Sequence, residues 1–266
     1  MTEPARRLVS LKVSPWSERA KWALDHHGLA YQKIEHVPFL GERRLRRLVG
    51  REGGRVTVPV LVVGEEKLTS SWDIALYADR EGRGEPLFGA RQSEIRAWND
   101  LVDRTLEAGR ALVSAALLAS PEALDETLPR DVPSWLRPVL RPLTRYGTRW
   151  FARKYQLDLH DLQTPLGIIR ATLEQVRSAL ALGSISTPRP PYLLGTFSYA
   201  DIVVATLLQG TAPVADEYLR LGPATRHAWT KAELARDFSD IVAWRDEIYA
   251  KHRAKPRRAA PRDRDE

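Results

Sequence analysis

The sequence contains no cysteine, and its single methionine is the first residue. Without cysteine the chain can form no disulfide bridge, no thiolate zinc site and no cysteine nucleophile. It also lacks the run of about eighteen apolar residues that a membrane-spanning helix needs. The first residues, MTEPARR, have no apolar stretch typical of a signal peptide. These absences predict a cytoplasmic protein without a membrane span.

The chain has 266 residues, of which 43% are apolar, and this is enough for one large or two modest hydrophobic cores. Its six histidines show no spacing typical of metal ligands. His26 and His27 are adjacent and therefore point to different sides, and His160 stands alone. We therefore expect one or two globular domains and no metal site.

The most informative stretch is residues 58–79, with the sequence VPVLVVGEEKLTSSWDIALYAD. The Val58-Pro59 step precedes a short apolar run, and a polar turn then leads into a second extended segment. Ser70 and Ser71 open a segment whose apolar residues recur at helical spacing. A helix start with free N–H groups and a serine hydroxyl is suited to binding a carboxylate or a phosphate. The stretch predicts a hairpin, then a helix with an anion site at its start.

The preceding residues predict the other half of the same domain. Residues 8–13 favour a strand, which stops at a turn beginning with Ser14, and a helix then runs to Gly28. Residues 31–37 favour a second strand, and about 42–50 a helix. With the hairpin and helix that follow, this order predicts a thioredoxin-like βαβ-αββα domain, in which the first crossover is right-handed.

The remaining sequence predicts helices, because no strand pattern recurs after residue 79. Residues 81–90 combine glycine, proline and charge, as a domain boundary does, and residues 120–134 with their three prolines favour a loop. The fold class is therefore α/β plus all-α. We expect domains at 1–82 and 91–252, a disordered basic tail at 253–266, and C-terminal helices at 91–119, 143–155, 165–182, from Ser198 onwards, and at 238–252.

Four segments resemble the cytosolic glutathione S-transferase family, and they occur in the family's order. SPWSERAKWALDHHGLAYQ resembles its opening strand-to-helix turn, VPVL its loop with a cis-proline, and SSWDIALYAD its serine-containing third helix. PYLLGTFSYADIVVATLL, at 191–208, resembles the segment that caps the family's buried C-terminal helix. The resemblance implies a bacterial, serine-type transferase that uses glutathione as co-substrate, takes part in detoxification and forms a homodimer.

The chemistry that the resemblance implies is activation of the glutathione thiol by Ser14. A free thiol has a pKa near 8.5, and lowering it by about two units takes about 2.7 kcal/mol. One hydrogen bond from a hydroxyl to the charged sulfur supplies about 1.5–3 kcal/mol, and a helix N-terminus about 0.3–1 kcal/mol more. No metal is needed. Ser17, three residues further on, is the alternative to Ser14.

The same resemblance implies the rest of the glutathione site. The backbone of Val58 pairs with the cysteinyl unit as an added strand would, next to a cis Pro59, and Ser71 holds the γ-glutamyl carboxylate. Ser70 stands where many relatives have an acidic residue. Asp73 either replaces that acid as a partner of the glutathione ammonium or, as a first-turn acid, complements the helix dipole.

The second substrate is expected between the two domains. Trp16, which follows Ser14 in the same turn, and the long helix with Trp98, Asn99 and Val102 are the candidate pocket residues. A flat apolar pocket of this kind suits an aromatic or other apolar electrophile. The thiolate then either forms a conjugate with that electrophile or cleaves an ether.

Arginine recurs every fourth residue from Arg137 to Arg153, which suggests a basic face for phosphates. However, Pro138 and Pro142 are expected to break the first half of this helix. The aromatic residues of this region look core-directed rather than placed for base stacking: Trp135, Tyr146, Trp150 and Phe151. A solvated or salt-bridged face is favoured over a nucleic-acid site. A non-catalytic glutathione- or ligand-binding protein and a basic partner-binding protein remain alternatives to the transferase.

Overall fold

The computed structural model describes residues 5–51, 53–129, 131–181 and 192–253. In its first part, four strands and three helices alternate in the predicted order. The elements are β1 Arg6–Ser10, α1 Pro15–His26, β2 Gln32–Glu35, α2 Glu42–Val49, β3 Val60–Val63, β4 Glu66–Leu68 and α3 Ser71–Glu81. The strands form one sheet in the order β2-β1-β3-β4, with β1 and β2 parallel and the other neighbours antiparallel.

Alternation along the strands explains how the sheet buries both of its faces. Leu8 and Leu61 belong to the main core, which includes α1 and α3, whereas Val9, Val60 and Val62 pack with Leu45 and the rest of α2. Successive strand residues point to opposite faces, so these two sets separate cleanly. The predicted thioredoxin-like domain is confirmed.

The described residues after α3 are helical apart from turns and an isolated bridge between Leu194 and Thr196. The predicted all-α second part is therefore confirmed as well. Its helices are α4 Gln92–Ala119, α5 Pro121–Glu126, α6 Arg137–Lys154, α7 Gln163–Ala181, α8 Tyr199–Ala205, α9 Pro223–Trp229, α10 Ala232–Asp237 and α11 Ser239–His252.

Two predicted boundaries and one predicted loop were wrong. β1 ends at Ser10, because residues 11–13 turn towards α1. The predicted loop at 120–134 contains α5. Ser120 caps the first turn of this helix, and Pro121 lies in that turn, where a backbone N–H would have no intrahelical acceptor. α6 begins at Arg137 rather than 143, since one proline lies in its first turn and only Pro142 interrupts its hydrogen bonds. α9 and α10 were not predicted.

The predicted core-directed aromatic residues of α6 were also partly wrong. Trp135 is 73% exposed and Tyr146 48% exposed, whereas Trp150 and Phe151 are partly buried. The first arginines of the α6 series bind α5 and its loop instead of solvent. Arg141 donates to both carboxylate oxygens of Asp125, at 2.9 and 2.5 Å.

The C-terminal part is anchored on the thioredoxin-like domain through α8 and α11. Ser198 is the N-cap of α8, as predicted, and the buried carboxylate of Asp201 accepts its N–H at 2.9 Å. Burial raises the pKa of Asp201 to about 6.

Arg253, the first residue of the predicted disordered tail, is buried and donates to Glu18 and Asp25, so this part of the prediction was wrong. The remainder of that tail lies outside the described residues.

Candidate active site

Ser14 lies between β1 and α1 and is the N-cap of α1. Its Oγ accepts the backbone N–H of Ser17 at 3.3 Å, and its own N–H is donated to the carbonyl of Leu11 at 3.0 Å. The turn is further held by Gln209, whose side chain donates to the carbonyl of Val13 at 2.7 Å. Since the cap uses Ser14 Oγ as an acceptor, the hydroxyl proton is left to be donated elsewhere.

Ser17, the alternative to Ser14, lies one turn further into α1 and is fully buried. Its Oγ accepts the backbone N–H of Leu11 at 3.1 Å and thereby closes the same turn. A fully buried hydroxyl offers no surface to an incoming sulfur. The structure therefore gives Ser17 a place in the support of the turn.

The loop before β3 carries the predicted backbone site. The Val58-Pro59 peptide bond is cis, as predicted. Among the described residues, no hydrogen-bond partner occurs for the backbone N–H or carbonyl of Val58. An extended peptide could therefore pair with Val58 as an additional strand.

The start of α3 carries the two adjacent serines. Ser70 is the N-cap, not Ser71: its Oγ accepts the N–H of Asp73 at 3.0 Å and its hydroxyl donates to Asp73 Oδ2 at 2.7 Å. Ser71 is the first helical residue and is buried, and its hydroxyl has no partner among the described residues. Its carbonyl accepts the hydroxyl of Tyr199 from α8 at 3.1 Å. Burial raises the pKa of Tyr199 to about 12.

Trp16 is held across the domain boundary by Asp103 of α4. Its indole N–H donates to Asp103 Oδ1 at 2.8 Å, and the same oxygen accepts Nη1 of the fully buried Arg19 at 2.5 Å. Asn99 donates to the other oxygen of Asp103 at 3.1 Å. Three donors from two domains therefore meet at one carboxylate beside the Ser14 turn. Asp103 was not predicted, although it lies one helical turn after Asn99.

The other predicted pocket residues lie deeper than expected. Val102 has no exposed surface and Asn99 is almost completely buried, while Trp98 packs at the margin of the main core. The burial of Val102 and Asn99 and the core contacts of Trp98 do not show a pocket for a second substrate, so the role of these three residues stays a prediction. Of the predicted set, Trp16 is the partly buried residue that lies in the Ser14 turn itself.

Arg110 and Tyr155 complete the surroundings of Trp16, and neither was predicted. The guanidinium carbon of Arg110 is 4.3 Å from the centre of the Trp16 ring and 4.2 Å from that of the Tyr155 ring. Burial lowers the pKa of Arg110 and raises the pKa of the Tyr155 hydroxyl. Sequence periodicity could not predict that Trp16, Arg110 and Tyr155 lie together, because they come from α1, α4 and the end of α6.

Residues 8–86 match the family model of the glutathione S-transferase N-terminal domain. The match shows a glutathione S-transferase N-terminal domain in this part of the chain. The matched residues include Ser14, Val58 and Ser71 and all of the thioredoxin-like part except the first two residues of β1. No curated protein matches the sequence.

Solved glutathione S-transferase structures share the fold over almost the whole chain. Beta-etherase LigF from Sphingobium sp. strain SYK-6 has a TM-score of 0.57 at 20% identity, covering 93% of this chain and 96% of LigF. A transferase from Methylobacillus flagellatus KT with glutathione bound has a TM-score of 0.51 at 14% identity, covering 94% and 96%. The trimeric Leishmania transferase TDR1 has a TM-score of 0.50 at 17% identity; 92% of this chain covers 47% of that protein. At these identities the likeness shows the fold.

Two further searches of the described residues concern metals and membranes. No group of three or more His, Asp or Glu side chains in that part of the chain is placed to hold a metal ion. No helix there is both long and apolar enough to cross a bilayer.

Proposed function

We propose that the protein is a glutathione transferase in which the hydroxyl of Ser14 stabilises the glutathione thiolate. The observation that carries this proposal is the hydrogen bonding of Ser14: its oxygen accepts the N–H of Ser17, so its proton is left for the sulfur. The N-terminus of α1 adds a favourable dipole at the same point. Together these contributions reach the roughly 2.7 kcal/mol that a shift of about two pKa units requires.

In this proposal glutathione lies along the loop before β3. Its cysteinyl unit pairs with the backbone of Val58, next to Pro59, and its γ-glutamyl carboxylate lies at the start of α3. The partnerless hydroxyl of Ser71 and the first N–H groups of α3 favour an anion there. The Asp73 carboxylate accepts the Ser70 hydroxyl through one oxygen, and we propose its other oxygen as a partner of the glutathione ammonium.

The proposed reaction is attack of the thiolate on an apolar or aromatic electrophile held against Trp16 and α4. A bond forms between sulfur and the electrophilic carbon, and the leaving group departs with the electrons of the broken bond. An ether as the second substrate is the variant supported by the fold shared with a protein named beta-etherase. The predicted contacts of Trp98, Asn99 and Val102 with the electrophile stay predictions, as does a cytoplasmic role in detoxification.

The test is a comparison of the wild-type protein with Ser14→Ala, Ser14→Thr and Ser17→Ala. With chlorodinitrobenzene as electrophile, we expect Ser14→Ala to lower kcat/KM well over tenfold, because one charged hydrogen bond of about 1.5–3 kcal/mol is lost. Calorimetry should show that glutathione still binds this variant. Ultraviolet absorbance of the bound thiolate should place its pKa about two units below 8.5 in the wild-type protein and closer to 8.5 in Ser14→Ala.

Ser14→Thr is the matched control, since it keeps a hydroxyl and should retain part of the activity. Equal activity of Ser14→Ala and wild type would disprove the role of this hydroxyl. A loss confined to Ser17→Ala would transfer the role to the second serine.

A non-catalytic glutathione- or ligand-binding protein on the same fold is the second candidate. The observation that favours it is Ser70, which pairs with Asp73 where many relatives have an acidic residue. Binding of glutathione with no turnover of several electrophiles by the wild-type protein would select this candidate.

A homodimer is proposed on the basis of the family resemblance, in which the small domain of one subunit meets the helices of the other. Large apolar side chains of both domains are exposed together in this protein, and we assign this surface to a second copy of the chain. We name it the apolar surface; it comprises Val37, Leu40, Trp135, Val139, Leu143 and Tyr146.

A further inference from the structure

Arg110 is an unusual cation because it is largely withdrawn from solvent while its ion pair with Glu107 is long, at 3.8 Å. Its side chain is 16% exposed and lies between the rings of Trp16 and Tyr155. Two aromatic faces attract a guanidinium electrostatically through their negative π-systems. This attraction holds the group in place but satisfies none of its five N–H donors.

The N–H groups of Arg110 have no hydrogen-bond acceptor among the described residues. The nearest carboxylate oxygen there, Oε1 of Glu107, is 3.8 Å from Nη1, which is too long for a hydrogen bond. Asp103 is already occupied by Trp16 and Arg19. Buried charges in proteins are normally paired, because an unpaired one is unfavourable. An acceptor from outside the chain would remove this penalty.

The positive charges near Arg110 also favour an anion at this place. The guanidinium of Arg55 and the ammonium of Lys154 lie 5.3 and 5.5 Å from the centre of the Tyr155 ring, so three cations including Arg110 share this aromatic group. The two arginines repel one another and lower the pKa of Arg110 further. An anion between the two arginines would relieve that repulsion and would accept N–H groups of Arg110.

We propose that Arg110 binds an anionic group of the second substrate, so that this transferase prefers aromatic electrophiles bearing a carboxylate or a similar anion. The inference rests on the proposed function. Trp16 connects the two parts of the site: it stacks on Arg110 and lies two residues after Ser14 in the same turn. A ring held against Trp16 therefore places its reactive carbon towards the sulfur while its anion meets Arg110.

The test uses two electrophiles that differ in the charge of one ring substituent, a chlorodinitrobenzoate and its uncharged amide, and each kcat/KM is divided by the rate constant of that compound with free glutathione. In both, the glutathione sulfur bonds to the carbon bearing chlorine, and chloride leaves with the electrons of the carbon–chlorine bond. We expect wild-type kcat/KM to be about 10- to 100-fold higher for the benzoate, as one charge-assisted interaction implies. The difference should lie in the KM for the electrophile and should shrink with added salt.

Arg110→Gln should abolish this preference, and Arg110→Lys should keep part of it because the charge remains without the planar donors. Arg104→Gln is the matched control: it removes the same charge from an exposed position on α4 and should leave the preference unchanged. A second measurement avoids turnover altogether. Dinitrobenzoate and dinitrobenzamide, which lack the leaving group, are compared by quenching of tryptophan fluorescence in wild type and Arg110→Lys.

The outcomes separate this inference from the proposed function. Turnover of both electrophiles with equal kcat/KM, or an equal loss for both in Arg110→Gln, would overturn the anion preference while leaving the transferase intact. A change confined to the KM for glutathione would assign Arg110 to a glutathione carboxylate and would also overturn it. No turnover of either compound, together with no glutathione binding, would overturn the proposed function. If Arg110→Gln does not fold, the wild-type preference, its salt dependence and Arg110→Lys decide.

Discussion

At the scale of single residues, the two serines of the α1 turn differ in what their hydroxyl groups contact. Ser14 accepts one N–H from α1, whereas the oxygen of Ser17 is fully buried against the N–H of Leu11. Their spacing in the sequence could not decide between them, because both belong to the start of one helix. Burial and the direction of each hydrogen bond make Ser14 the residue proposed to face the thiolate.

The first residue-scale prediction concerns Asp103, which holds Trp16 and neutralises the fully buried Arg19. Asp103→Asn should lower the free energy of unfolding by about 3 kcal/mol, because it leaves a buried guanidinium without its charged partner. Urea denaturation measures the change. Asp100→Asn is the control, since its exposed pair with Arg96 should contribute less than about 1 kcal/mol. Equal stability of the two variants would contradict the assigned role.

Sequence reasoning located the α1 turn, the cis-proline and the start of α3 more successfully than the surroundings of Trp16. Ser14, Val58 and Ser71 lie in short motifs whose local structure follows from the turn, the cis-proline and the helix start. Arg110 and Tyr155 reach Trp16 only through the packing of α4 and α6, which hydrophobic spacing does not specify. Val102 lies on the apolar stripe of α4, and that position in the sequence is equally consistent with a core residue and a pocket residue. The structure shows that it is fully buried.

At the scale of secondary structure, α6 shows how proline position decides its effect. Pro138 lies in the first turn, where its missing N–H has no intrahelical partner to lose, and Pro142 lies inside the helix. The sequence rule that proline breaks helices therefore placed the start of α6 too late. α5 was missed for a related reason, since three prolines suggested a loop while Ser120 and Pro121 together form a good helix start.

The prediction at this scale is that Pro142→Ala stabilises the protein. An interior proline costs a helix about 3 kcal/mol, and about 0.4–1 kcal/mol is returned because proline restricts the unfolded chain. The net gain of about 2 kcal/mol should raise the Tm by about 4–8 °C in thermal unfolding followed by circular dichroism. Pro138→Ala is the matched control and should leave the Tm unchanged or slightly lower. A lower Tm for Pro142→Ala would contradict this account of α6.

At the scale of the whole molecule, side chains of the thioredoxin-like domain contact α6 of the helical part. Phe39, in the loop before α2, contacts Tyr146 and Trp150 of α6 at ring distances of 5.4 and 5.7 Å. Lys154 at the end of α6 pairs with Glu42 of α2 at 2.5 Å. These contacts hold the loop before α2 and the start of α2 against α6, next to exposed residues of the apolar surface. Apolar patches that span two elements in this way are more typical of interfaces than of free surface.

The last prediction follows from that arrangement and tests the proposed homodimer. Val139→Glu with Leu143→Glu places two charges in the middle of the apolar surface, where 66% and 49% of these residues are exposed. The helix itself should tolerate them, because the two acidic residues, four positions apart, repel one another by only about 0.2–0.5 kcal/mol. Light scattering after size exclusion should give the mass of two chains for the wild-type protein and of one chain for the double variant. Ile168→Glu, at an exposed apolar residue of α7, should leave the dimer intact.

Because α2 and α6 are both rich in arginine, added salt should strengthen the wild-type dimer by screening repulsion between the copies. A wild-type protein that stays monomeric at every salt concentration, or a double variant that stays dimeric, would contradict the assignment of this surface to a second copy.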